Sequence, residues 1–505
     1  MSSNAVAQNR IATVTGYQLT SGNFGETTEN LPQVIGILGE ANTANQSGLT
    51  ANAPQLITSA SQAVTLYGAG SPIHAVARIL FPVNGGGTNA PVYVFPQAAA
   101  GGSVARVQTL TVTATVTAGG THTLVVAGRR SVDGQFYNVN IVSTDTASTI
   151  AGKIRDSINA VAGSPFIATA ASAVVTLTTK WTGLTSETVG ITVDTTLAPS
   201  IGVTYAVAET VAGTGTPAVT PALNLFGSMW ITQVINCYGT VTATLTELEA
   251  FNGVPGLTGS TGRYQGIVFK PFIALTGSVA DDPSSVTTGR SIQCTIAICP
   301  APQSPGMQYE AAANVAVLAS NTWINAPQSD IVDQYYPDMP VPAITVVPSM
   351  QSYTFRDTVV QVGCSTAVIE NGTYKMLDFV TTFYDGTMSP SYRYCRDLDV
   401  DFNIAFGMKL IEVDNVKGKT ICKDSDVVSA DNIIKPKMLT ALIYDYIDQL
   451  VNRALIADAK FSKSSTTVSI NQTNPNRLDD TWSYKRTGIA RIVSTTVQAG
   501  FNFSN

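Results

Sequence analysis

Charge is what this sequence has least of. Only 12% of its 505 residues are Asp, Glu, Lys or Arg, against about a quarter in an ordinary soluble domain. Such a surface has little charge to keep copies apart, which suits a protein that buries much of itself against other copies. The net charge is −6 and Lys and Arg form no cluster, which argues against nucleic acid as a direct partner. No run of 18 apolar residues exists, so no membrane-spanning segment or stable membrane insertion is expected. The first residues, MSSNAVAQNRIATVTG, lack an apolar signal core, and the expectation is a chain made and kept in a cytoplasm.

Histidine is nearly absent. The two present, His74 and His122, are far apart, and a Ser–His or metal site on either would lack its neighbours. Structural roles are expected for both. The six cysteines (Cys237, Cys294, Cys299, Cys364, Cys395, Cys422) are scattered and read as free, mostly buried thiols. Cys294 and Cys299 have no partner ligands at metal spacing. Gly418-Lys419-Thr420 has the tail of a phosphate-binding loop, but Val413 stands where the upstream glycine is required, which leaves a turn. Asp397, Asp399 and Asp401 have the opening spacing of a calcium loop, yet Phe402 replaces its glycine and Met408 its closing glutamate. Period two fits this stretch, with the aspartates on one strand face and Leu398, Val400 and Phe402 on the other. That face is either solvated or meets basic groups on another subunit. With no nucleophile–base pair and no cofactor loop assembled, the expectation is a non-enzyme with no cofactor and no metal.

What the chain does have is pattern. Its length exceeds a single core, and three domains are the prior. Residues 33–39 (QVIGILG) and 91–96 (APVYVFP) read as buried strands flanking a helix capped by Ser71-Pro72. Between the joint at 98–103 and the Thr/Gly/Pro-rich 212–221, alternating Thr/Val/Ala runs and one helix, Ser148–Val161, read as an inserted β-rich, sandwich-like unit standing away from the main body. The α/β pattern then resumes: strands at Met229–Ile235, Gly266–Ala274 and Ser291–Ile298, a capping box at Thr246/Glu249, and a helix at Gln308–Trp323. Val359–Thr382 reads as a hairpin turning at Glu370-Asn371-Gly372. Met438–Phe461 reads as one long amphipathic helix of roughly 35 Å.

The last run, Ile489–Phe503, alternates Ile489, Arg491, Val493, Thr495, Val497, Ala499, Phe501 and Phe503 against a mostly polar register, the period of a half-buried strand. A lone strand needs a ladder. This one lies outside otherwise complete domains, as does the short β-like run Arg10–Tyr17 carrying Ile11 and Val14. Either run folds back into its own sheet or adds to that of another copy.

Gly306–Trp323, Asp330–Pro348, the hairpin with ENGTY at Glu370–Tyr374, and YRYCRDLDVDFNIAFGMKL through the long helix to the end resemble the tail sheath proteins of contractile-tailed bacteriophages, nearest the long, Mu-like branch. The resemblance runs from about Leu31 to the terminus and is most specific in the last 200 residues. It implies a multidomain α/β and α+β fold. The parts would be an N-terminal arm (1–30), a discontinuous α/β core (31–100 with 221–385), an inserted protruding β-rich domain (101–220), an inner α+β domain facing the tail tube (386–487) and a C-terminal strand arm (488–505). It further implies subunits stacked as hexameric rings around the tube, arms that add strands to neighbouring subunits, and contraction that drives the tube through the host envelope. Partners would be further copies of the chain, the tube, baseplate and tail terminator proteins, in a virion tail assembled in the bacterial cytoplasm. A sheath of a phage-derived bacteriocin or secretion machine is the near alternative. A glycan-binding role of the insert is the more distant one.

Overall fold

The computed structural model describes residues 29–129, 136–256, 259–343, 345–387 and 391–499. They form two compact units, one made of Asn30–Phe406 with residues 486–499 and the other of Gly407–Lys485. The boundary falls inside helix Cys395–Asn415.

Strands of the larger unit follow in chain order. The first three are β1 (Ile35–Glu40), β2 (Gln55–Ile57) and β3 (Val92–Gln97). The inserted segment holds β4 (Val107–Ala114), β5 (Gly120–Val126), β6 (Phe136–Ile141), β7 (Phe166–Ala171), β8 (Val174–Thr179), β9 (Ile191–Asp194) and β10 (Val203–Val211). After it come β11 (Gln233–Asn236), β12 (Ile273–Ser278), β13 (Ile296–Pro300), β14 (Thr366–Glu370) and β15 (Thr373–Asp378).

The central sheet has the order β13-β12-β11-β1-β3-β2. Its members are parallel except β2, which runs antiparallel to β3. Every residue of β1, β11, β12 and β13 is buried, as a parallel sheet covered on both faces requires. Helix Pro72–Leu80 starts as expected, with the Ser71 hydroxyl accepting from His74 N–H and Pro72 in the first turn. Helix Gln308–Asn325 packs against β11, β12 and β13. Gly277 allows that approach, because a Cβ there would lie 1.7 Å from the Gln308 carbonyl oxygen.

The inserted segment forms a four-stranded sheet, β10-β4-β8-β7, and a three-stranded one, β6-β5-β9. Helix Ala147–Asn159 packs against strands of both. More than its two joints holds it to the central sheet. Apolar burial is continuous from Ile73 and Tyr67 to Ile158, Phe166 and Trp181. Arg129 pairs with Glu310 at 3.0 Å and Asp338 at 2.7 Å.

Several sequence expectations need correction. The strands expected at 229–235, 266–274 and 291–298 begin later, at Gln233, Ile273 and Ile296. Thr246 and Glu249 are not a capping box. Their helix starts at Thr242, so Thr246 bonds back to the Thr242 carbonyl at 2.9 Å and Glu249 pairs with Arg290. Val359–Gln361 ends a helix, Tyr353–Gln361, rather than opening the hairpin. The hairpin itself is β14–β15, turning on Asn371 and Gly372 at φ 53° and 76°, the left-handed pair that a two-residue turn requires.

In the smaller unit the long helix is broken. Pro436–Asn452 ends where Ala454 turns left-handed at φ 55° and Leu455 N–H closes onto the Leu450 carbonyl at 2.9 Å. Asp458 then caps a second helix, Ala459–Ser465, accepting from Phe461 N–H at 3.0 Å. Seventeen residues give a rod of roughly 25 Å. Helix Pro436–Asn452 packs against Thr467–Ile470, which pairs antiparallel with Leu478–Thr481.

Candidate interaction site

In a sheet of this order the usual ligand crevice lies at the carboxyl end of the strand where the connections reverse direction. That strand is β1, flanked by β3 on one side and β11 on the other, and it ends in Glu40. The inserted segment fills the place. Thr185 Oγ1 donates to Glu40 Oε2 at 2.8 Å and accepts from Trp181 Nε1 at 3.0 Å. Gly183 lies so close that a Cβ there would be 3.0 Å from the carboxylate. Glu40 is wholly buried, and that burial pushes its carboxyl up to about 7 against the opposing pull of the Thr185 hydrogen bond.

The histidines hold structure. His74 Nδ1 accepts from Gly70 N–H at 3.0 Å, and His122 sits between Tyr205 Oη at 2.7 Å and the Ala198 carbonyl at 2.9 Å. Five cysteines are buried, Cys422 is half-buried, and all six are free. Gly418, at φ 79°, occupies a turn after helix Cys395–Asn415. Among the described residues no group of three His, Cys, Asp or Glu is placed to hold a metal ion.

The arrangement that stands out is at residues 486–499. Arg486 Nε donates to Asp401 Oδ1 at 2.7 Å, and its guanidinium also reaches the Ser391 carbonyl at 2.9 Å. Arg396 donates to the Thr487 carbonyl at 2.7 Å and hydroxyl at 2.8 Å. Arg491 pairs with Asp330 and stands 3.9 Å over the Tyr394 ring, with Asp378 at 3.7 Å. The Asp330 side chain is 4% exposed. Burial raises its pKa while Arg491 opposes the rise. The chain is therefore gripped from Arg486 to Arg491.

Past Arg491 the grip ends. Residues 492–499 are all exposed and join no strand, with Ile492 84%, Val493 81% and Val497 81% exposed. Of the expected arm residues, Ile489 is half-buried in the gripped part, and Val493 and Val497 lie in the free part. Arg491 is the root. Arg10, Ile11, Val14, Tyr17, Phe501 and Phe503 lie outside the described residues. Among the residues forming this root, Asp401 stood out by its spacing but is met by Arg486 of its own chain rather than by another subunit, whereas Asp330, Tyr394, Arg396 and Arg486 carry no spacing signal that a sequence reading could use.

Asp397, Asp399 and Asp401 do not line a strand, because all three are in helix Cys395–Asn415. They point to different fates. Asp399 is buried, accepting from Gln33 Nε2 at 2.9 Å and Asn403 Nδ2 at 3.0 Å, and burial pushes it up to about 8. Asp401 is taken by Arg486. Asp397 pairs with Arg396 at 2.9 Å and keeps 21% of its side chain exposed.

These features describe a mixed α/β multidomain protein with a chain segment that is gripped at Arg486–Arg491 and exposed beyond it. Comparison with known proteins gives the class a more particular form. No family model matches the sequence. The chain is 22% identical over 437 residues to a Mu-like prophage tail sheath protein of Haemophilus influenzae, covering 84% of each. The resemblance to tail sheath proteins of the Mu-like branch, drawn above from the residues, thus extends over most of the chain. Two solved structures are similar. One is a sheath tail protein of Desulfitobacterium hafniense, with TM-score 0.42, 11% identity and coverage of 93% of this chain and 100% of that one. The other is the sheath complex of an extracellular contractile injection system in its contracted state, with TM-score 0.47, 9% identity and coverage of 97% and 98%.

Proposed function

We propose that this chain is the structural subunit of a contractile tail sheath. It is non-enzymatic, stacks as hexameric rings around a tail tube, and contracts to drive that tube through a host envelope. The observation that carries this is the rooted segment 486–499, held by three arginines and then exposed with its apolar residues and backbone unladdered. A segment in that condition is completed by another chain's sheet edge. Some five main-chain bonds at about 1 kcal/mol each would hold an arm by roughly 5 kcal/mol before ordering costs. The pair Thr467–Ile470 and Leu478–Thr481 is a receiver of the right kind in a second copy, since among the described strands its two members pair only with each other and a two-stranded ladder is marginal alone. Head-to-tail contacts of this type build a filament.

In this reading the insert faces outward and the C-terminal inner domain faces the tube. Of Asp397, Asp399 and Asp401, Asp397 is the one that keeps most exposure, beside its own Arg396, and in this reading it meets a basic group on another copy or on the tube. Deletion of residues 488–505 tests the proposal. The shortened chain is expected to stay folded and soluble by circular dichroism and to form no long striated cylinders in negative stain. Cylinders of full-length appearance from that deletion would refute it.

A further inference from the structure

The two edges of the insert's four-stranded sheet are finished differently. At β7 the side chain of Asn159 caps Ala168, with Nδ2 donating to its carbonyl at 2.8 Å and Oδ1 accepting from its N–H at 3.0 Å. Ser164 closes Phe166 in the same way, its hydroxyl accepting from the N–H and donating to the carbonyl, both at 3.2 Å. Side chains there occupy the place of a next strand, which blunts the edge.

The opposite edge, β10, has no such plug. Its register with β4 runs Val203↔Ala114 to Glu209↔Gln108, and Thr115 N–H donates to the Gly202 carbonyl just before it. Antiparallel pairs alternate, so even-numbered residues bond to β4 and the N–H and C=O of Tyr205, Val207 and Glu209 face outward. Among the described residues no side chain closes them. Residues 206–211 are all exposed, and the bulge between Glu209 and Val211 lies beyond the regular stretch.

This edge is also close to a palindrome. Val203-Thr-Tyr-Ala-Val-Ala-Glu-Thr-Val211 read backwards differs only by exchanging Tyr205 and Glu209. Two copies laid antiparallel about Val207 would set Thr against Thr, Ala against Ala and Tyr205 against Glu209, with no like charges opposed. Glu209 is held by Arg106 of its own chain at 2.6 Å.

We propose that β10 pairs with β10 of a second copy, antiparallel about a two-fold axis through Val207, joining the two inserts into one continuous sheet. The proposal goes beyond the sheath reading and does not depend on it. A two-fold contact closes on itself, whereas a polar stack is head to tail, so this pairing belongs to copies that are not neighbours in one stack.

Oxidative cross-linking of the full chain tests both pairing and register. Ala206 would face Ala208 of the partner in a non-hydrogen-bonded pair, whose roughly 4.5 Å Cα separation suits a disulfide. Ala206→Cys and Ala208→Cys variants are oxidised separately and as a mixture. The mixture is expected to form dimers about tenfold faster than either variant alone, as only it places thiols directly opposite. The native cysteines are common to all samples. Adding Val207→Pro to both removes an outward donor while sparing the β4 ladder, and is expected to return the mixture to the single-variant rate. A mixture no faster than its components, or one indifferent to Val207→Pro, overturns the proposal.

Discussion

Glu40 has one carboxylate oxygen on Thr185 and the other, Oε1, buried with no hydrogen-bond partner among the described residues. Held at about 7 rather than its ordinary 4.5, the folded chain keeps a proton there that the unfolded chain releases. The sign follows directly. This site's contribution is fully present below about pH 4.5 and is lost as pH rises through 7, by about 3 kcal/mol. Glu40→Gln cannot titrate. The stability of the variant relative to the parent, measured by urea unfolding, should therefore shift in its favour by about that amount between pH 4.5 and 7.5. A constant difference across that range would show that the side chain carries its charge when folded. Asp399 shows why such residues were misread in the sequence. The first half of its helix is buried almost all round, with Cys395, Leu398, Val400, Phe402 and Ile404 each at most 4% exposed. A helix without a wet face has no 3.6-residue signature, so three alternating aspartates imitate a strand.

Elements with one strong local cause were legible and those closed by distant partners were not. The Ser71-Pro72 start, the Asn371-Gly372 turn and the buried strands β1 and β3 each follow from their own residues, whereas β11, β12 and β13 start later than their apolar runs. The break after Asn452 was hidden because Leu450, Leu455 and Ile456 continue the apolar stripe, although Asp458 had the identity of a cap. The gripped segment is the extreme case, since its partners come from 330, 394, 396 and 401. Its free continuation was legible as a strand period, and no strand forms there within the described chain. Arg491 is the last grip. Arg491→Ala leaves Asp330 buried without its cation, a local cost of about 1–3 kcal/mol. Hydrogen exchange at residues 487–491 is expected to quicken while exchange in the central sheet is unchanged. Unaltered exchange at those residues would mean that Arg396 and Arg486 suffice as the root.

At the scale of the whole molecule the scarcity of charge becomes an assembly argument. The 12% of charged residues are unevenly spread, for Gly407–Lys485 alone holds 11 basic and 10 acidic ones, nearly balanced. Two kinds of contact could join copies, strand addition through residues 492–499 and charge pairing through groups such as Asp397. They respond oppositely to salt. At about 1 M salt the Debye length falls to roughly 3 Å and exposed charge pairs are screened, while ladder bonds and apolar burial persist or strengthen with excluded salts. If strand addition carries assembly, the polymerised fraction measured by sedimentation should change by less than about twofold between 0.05 and 1 M sodium chloride. Polymers that dissolve at the higher salt would move the burden from the exposed apolar segment to the charged surface.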